Sequence, residues 1–130
     1  MPDPAKVVAT PVEVVNLPVL IIPLFIRRVG TTNTTTAVLL LADVVKPTDW
    51  WVMDFAAIYN QSGESVTAQW VISRGAQVLL VSEDLTVADG KAVRSNILPT
   101  LQEGEAFGVQ VTGTAKKGTI TLIVSAHIID

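Results

Sequence analysis

The stretch WWVMDFAAIYNQSGESVTAQWVISR, residues 50–74, decides the fold class. Its first half places Trp51, Met53, Phe55, Ala57 and Tyr59 on one face at a period of two, with Asp54 on the other, so the first face is the expected core. Its second half alternates Val66, Ala68, Trp70 and Ile72 with Thr67, Gln69, Val71 and Ser73. Between the halves lies NQSGES, a turn-forming connection that contains glycine. Two alternating runs joined in this way predict a β-hairpin.

Working outward, the same period recurs. The turn Ser73-Arg74-Gly75 leads into a strand over Gln77–Val81, and the acidic connection SEDLTVADGK separates it from a strand over Ala92–Leu98 that stops at Pro99. The polar turn QEGE launches Phe107–Thr112. GTAKKG then leads to Thr119–Ile129, where Ile120, Leu122, Val124, Ala126 and Ile128 face one way and Thr121, Ser125 and His127 the other. On the N-terminal side, AVLLLA at 37–42 is a short apolar strand that follows the threonine-rich connection GTTNTTT. About eight short strands with no amphipathic helix predict an all-β chain, an antiparallel β-sandwich or barrel. Val, Ile and Thr make up about a third of the 130 residues, which agrees with a pleated scaffold.

The N-terminal 29 residues read differently. MPDPAKVVATP carries three prolines and is expected to form an extended arm. VVNLPVLIIPLFI, residues 14–26, is almost continuously apolar but contains Pro18 and Pro23, which suit sheet edges, strand starts and bulges. The expected organisation is an arm with edge strands over 1–29 and a sandwich domain over 30–130. A membrane-spanning helix needs about 20 apolar residues, whereas this run is shorter, broken twice by proline and followed by Arg27-Arg28. A secretory signal would place its positive charge before the apolar core, and only Lys6 precedes it. No membrane role is therefore expected.

Charge and composition exclude further classes. A net charge of −3 with no dense basic cluster argues against nucleic acid as a partner. The lack of cysteine removes disulfides, thiolate catalysis and cysteine zinc sites. His127 is the sole histidine, and Ser125 shares its strand face, a pairing that any polar strand face also produces. Glu83, Asp84, Asp89, Glu103 and Glu105 follow no calcium-loop pattern. Asp43, Asp49 and Asp54 have no spacing that fixes a carboxylate pair. We expect no catalytic residues, no cofactor and no metal. The sequons at Asn33 and Asn60 are read as chance, and of the adjacent Trp50 and Trp51 one is expected in the core and the other exposed.

The WWVMDFAAIYNQSGESVTAQWVIS hairpin, the PTLQEGEAFGVQV strand entry and the closing KKGTITLIVSAHI strand resemble those of small jelly-roll virion proteins of tailed bacteriophages, over residues 37–130. An L-x-x-G-(D/E) turn that opens a sandwich strand in such proteins is matched by Leu101, Gly104 and Glu105. With its proline-rich arm the chain looks like the capsid decoration, or cement, class. That likeness implies a non-enzymatic homotrimer on the capsid surface, assembled in the host cytoplasm and bound to the major capsid protein or another virion protein. The same fold serves tail, baseplate and fibre modules that bind receptors or carbohydrate, which is the alternative. A low charged fraction, 16%, and an apolar segment too large for a thin sandwich to bury point to burial between subunits. The expected interface residues are Val14, Val15, Leu17, Val19, Leu20, Ile21, Ile22, Leu24, Phe25 and Trp50. The rival expectation is that 14–26 supplies ordinary core strands of a monomer.

Overall fold

A computed structural model describes residues 21–34, 36–112 and 117–129. It contains β1 (Ile21–Thr31), β2 (Val38–Leu41), β3 (Trp50–Gln61), β4 (Val66–Arg74), β5 (Gln77–Leu80), β6 (Leu85–Val87), β7 (Ala92–Arg94), β8 (Thr100–Leu101), β9 (Glu105–Val111) and β10 (Thr119–Ile129), with no helix among the described residues. One sheet, here sheet A, runs β1-β10-β3-β7, and β8 also pairs with β3. Sheet B runs β2-β9-β4-β5, and β6 also pairs with β4. All pairings are antiparallel. Because β5 and β6 share one flank of β4, and β7 and β8 share one flank of β3, the ten segments fill eight strand positions. Successive positions lie in opposite sheets except β4 and the β5–β6 position, which are neighbours in sheet B; this is the jelly-roll arrangement that the resemblance implies.

The inner faces meet as alternation demands. Ile26, Trp51, Met53, Ile58, Leu122 and Val124 of sheet A pack against Leu40, Ala68, Trp70, Phe107, Val109 and Val111 of sheet B. Trp70 and Phe107 stack with ring centroids 5.5 Å apart. Gly108 is required by packing: a Cβ there would lie 2.0 Å from the carbonyl oxygen of Leu40, so any side chain would push β2 away from β9.

β4 and β10 follow the predicted faces. β3 does not, because its register with β10 shifts: Ser125 lies opposite Phe55, whereas the next residue, Ala126, lies opposite Met53. Asp54 is therefore the extra residue of a β-bulge, and the side-chain parity inverts beyond it. Trp51 and Met53 face the core, but past the bulge Ala56 and Ile58 do so, leaving Phe55, Ala57 and Tyr59 outside the core cluster. The expectation of one continuous core face over 51–59 is corrected accordingly. β6 and β8 were also unforeseen.

β1 forms the edge of sheet A and pairs with β10 over its full length, Ile21↔Ile129 to Thr31↔Thr119. Residues 21–29, grouped in the sequence with the preceding arm, thus form most of an edge strand. Pro23 sits within it without breaking it, as an edge position permits.

The L-x-x-G-E turn has a clear physical basis. Leu101 is buried, Gly104 takes the positive φ of 84°, and Glu105 opens β9. Glu105 Oε1 accepts the Gln102 amide N–H at 2.9 Å, while Oε2 accepts Arg74 Nη2 at 2.5 Å and Nε at 3.2 Å. Burial alone would push this carboxyl up, but the Gln102 amide and the Arg74 guanidinium outweigh it and hold the group below the usual carboxylate range. Its stabilisation is thus complete above the unfolded value of about 4.3 and is lost as pH falls through the lower folded value. Glu105→Gln should lower stability by about 1 kcal/mol at neutral pH, a modest loss because the Arg74 side chain is 60% exposed. In denaturant titrations the gap between variant and wild type should close as the solution is acidified below pH ~4.

Candidate functional site: the outer face of sheet A

The bulge and the edge strand together create the most distinctive surface of the molecule. With parity set by the core, the outward residues of sheet A fall into cross-strand rows. Ile21, Ile129 and Trp50 form one row, and Pro23, His127 and Val52 the next. Phe25, Ser125 and Phe55 follow, then Arg27, Ile123, Ala57 and Arg94, then Val29, Thr121, Tyr59 and Ala92. A solvated sheet face normally alternates polar residues outward; this one is dominated by aliphatic and aromatic side chains. Phe25 is 66% exposed, Ile21 59%, Val29 53% and Trp50 49%.

The face is also large. Its three long strands have 11, 11 and 12 residues. At ~3.4 Å per residue and ~4.8 Å between strands this gives a surface about 35 Å long and 15–20 Å wide. That approaches the roughly 800 Å² that each partner contributes to a stable protein interface.

Three polar features punctuate the face. The Arg94 guanidinium lies 5.1 Å from the centre of the Phe55 ring, a cation–π contact that the bulge makes possible by turning Phe55 outward. His127 Nδ1 lies 2.9 Å from Asp54 Oδ2 and 3.1 Å from Oδ1, so the bulged residue fixes the imidazole. Arg27 projects from the edge strand. Ser125 shares the face with His127 as predicted, and Asp54 adds the carboxylate that an oriented base requires. The trio sits on an open sheet between Phe25, Phe55 and Pro23, a setting that supplies a contact surface. The bulge pair was not legible as a pair in the sequence, because nothing in the local pattern marks Asp54 as an inserted residue.

The other expected site residues are placed as follows. Val14, Val15, Leu17, Val19 and Leu20 lie outside the described residues. Ile21, Phe25 and Trp50 are on the outer face, whereas Ile22 and Leu24 share the inward parity of Ile26, and Leu24 packs against the core. Of the two tryptophans, Trp51 is the buried one and Trp50 the exposed one. The carboxylates do not converge: Asp43 pairs with Arg28, Asp89 accepts the Gly63 amide at 2.9 Å, and Glu105 is held by Arg74. No group of three metal-ligating side chains exists among the described residues. No helix among them is long and apolar enough to cross a membrane. Asn60 of the second sequon is buried with Nδ2 in two hydrogen bonds, so the folded chain cannot present it for glycosylation.

Architecture and surface together define an all-β jelly-roll sandwich with an uncovered apolar sheet face. Neither a protein-family model nor a curated protein matches the chain. Among solved structures it is similar to a protein of Bacillus endospore appendages, described as a novel family of disulfide-linked pili, with 17% identity, a TM-score of 0.55 and coverage of 84% of this chain and 88% of that one. It is similar to PirA as well, at 13% identity and a TM-score of 0.51, covering 75% of this chain and 92% of the other. Yersinia pseudotuberculosis-derived mitogen aligns at 10% identity and a TM-score of 0.47, over 79% and 86% of the two chains. At these identities the first two likenesses establish a shared fold.

Proposed function

We propose that the chain is a non-enzymatic structural subunit that assembles with copies of itself by burying the outer face of sheet A and the apolar residues that precede β1. The observation that carries this reading is the face itself, because exposing it costs solubility whereas covering it is strongly favourable. At about 25 cal/mol per Å², burial of on the order of 600 Å² of largely apolar surface on each partner offsets the cost of association. The specific role we propose is virion decoration: a homotrimer that binds a capsid shell and cements it, as the sequence resemblance implies.

A second reading is a subunit of a surface appendage, favoured by the shared fold with the endospore appendage protein. Both readings use the same burial and differ in whether the assembly closes. Carbohydrate recognition through Trp50 has less support, since its cross-strand row contains only Ile21 and Ile129 and offers no polar side chain to a sugar.

Light scattering on the full chain and on a form lacking residues 1–20, which retains β1, tests the proposal. A discrete mass of three chains supports the decoration role, and open-ended growth supports the appendage role. A loss of mass or aggregation on truncation assigns the preceding residues to the interface. A monomer in both forms sinks self-assembly and leaves the face to an unrelated partner.

A further inference from the structure

The edge opposite β1 carries a second feature. Both edge positions there are interrupted in mid-strand: residues 81–84 separate β5 from β6 on sheet B, and 95–99 separate β7 from β8 on sheet A. The two interruptions face each other and open a cleft of about 550 Å³ into the side of the sandwich. Val81, Leu85, Val93 and Ile97 supply its apolar walls, and Ser82, Glu83, Arg94 and Asn96 complete its lining. Leu79 and Leu98, also exposed, extend the apolar surface along the same edge.

The cleft and the flat face select different occupants. An extended segment laid on a sheet face finds no in-plane backbone partners, so its N–H and C=O groups go unpaired; at a sheet edge such partners are available. The flat face therefore fits another flat surface, and the cleft fits a single extended apolar chain. This molecule has such a chain. Residues 12–20, VEVVNLPVL, hold six aliphatic side chains and a single charge, Glu13, an apolar match for the apolar walls of the cleft. Pro11 and Pro18 favour extended backbone over helix. The segment joins the sandwich at Ile21, the start of β1, on the edge of sheet A remote from β7 and β8. Side by side, each copy offers its segment at one edge and its cleft at the other.

From this juxtaposition we infer that the edge cleft between β5–β6 and β7–β8 receives residues 12–20 of a second copy, which makes the assembly contact head-to-tail. The inference rests on the self-assembly reading above and names its second contact. A head-to-tail contact closes into a ring, a trimer included, or continues as a filament.

The chain contains no cysteine, so introduced thiols report unambiguously. Full-length chains carrying Leu17→Cys are mixed with chains carrying Ile97→Cys, oxidised mildly and resolved by mass. A disulfide-linked heterodimer is expected, about tenfold or more above that formed with the control Gln61→Cys, because docking raises the effective thiol concentration. A chain carrying both Leu17→Cys and Ile97→Cys should give a covalent ladder. Closure of that double variant at monomer mass would overturn the inference in favour of the chain's own segment. Preferred linkage to Phe25→Cys would overturn it in favour of the flat face. An oligomer of normal mass with no linkage above control overturns the cleft contact alone, whereas a chain that is monomeric by light scattering overturns the assembly reading with it.

Discussion

Replacing Asn60 with alanine should destabilise the fold by about 3 kcal/mol, the largest effect expected of a single polar substitution in this chain. The side chain is fully buried at the end of β3. Its Nδ2 donates to the carbonyls of Glu64 at 2.7 Å and Val87 at 2.8 Å, and its Oδ1 accepts the Ser62 amide at 2.9 Å. One side chain thus holds the β3–β4 turn to the end of β6. Its backbone adds a tie to the next loop, donating to Lys91 O at 3.0 Å and accepting from Gly90 N at 2.7 Å. Alanine keeps those backbone bonds but takes the side-chain partner from the Ser62 amide and the Val87 carbonyl, at about 1–3 kcal/mol each, while the Glu64 carbonyl still accepts the Ser62 hydroxyl at 2.9 Å. Asn60→Asp should cost as much, since it removes both donors and buries a charge. Neighbouring Gln61→Ala, on an exposed residue, should stay within about 0.5 kcal/mol. Thermal unfolding decides the matter: a fall of roughly 10 °C is expected for Asn60→Ala, and a fall no larger than that of Gln61→Ala would show that the network carries little stability.

The same residue shows where sequence reading succeeds and where it stops. That a turn lies between 60 and 66 is legible, because Asn, Ser and Gly interrupt two alternating runs. That Asn60 belongs to the interior is not, because its three partners come from a turn and from β6, and β6 is only three residues set in an acidic stretch. β4 and β10 read correctly because each has one apolar and one mostly polar face. β3 misleads for the opposite reason: residues on both sides of Asp54 are apolar, so a parity inversion at a bulge leaves no trace in the pattern. The candidate site was hidden by the same fact. An apolar outer face looks like core until the strands are paired, which is why Leu24 and Ile22 were grouped with Ile21 and Phe25 although they point to the other side of β1. The edge position of 21–31 was legible, since Pro23 suits an edge strand.

Phe25→Asp separates the function of the face from the stability of the fold. Phe25 is 66% exposed and sits in the central row of the face between β1 and its neighbours, beside Ser125 and in line with Phe55. In an isolated chain its replacement removes little packing, and the remaining cost, a lower strand preference, is on the order of 1 kcal/mol or less. In an assembly that covers the face, the change removes a buried aromatic ring worth about 2 kcal/mol and leaves an unpaired carboxylate in its place, a combined loss of roughly 4 kcal/mol or more. Self-association should therefore weaken by about a thousandfold, and the mass by light scattering should fall to that of one chain while the unfolding temperature stays within a few degrees of wild type. Phe25→Leu, which retains most of the apolar surface, should assemble almost normally. The pairing of these two outcomes is what distinguishes an interface from a structural residue. If Phe25→Asp unfolds the chain, the ring supports the sheet; if both variants keep the wild-type mass, sheet A is not the surface that brings copies together.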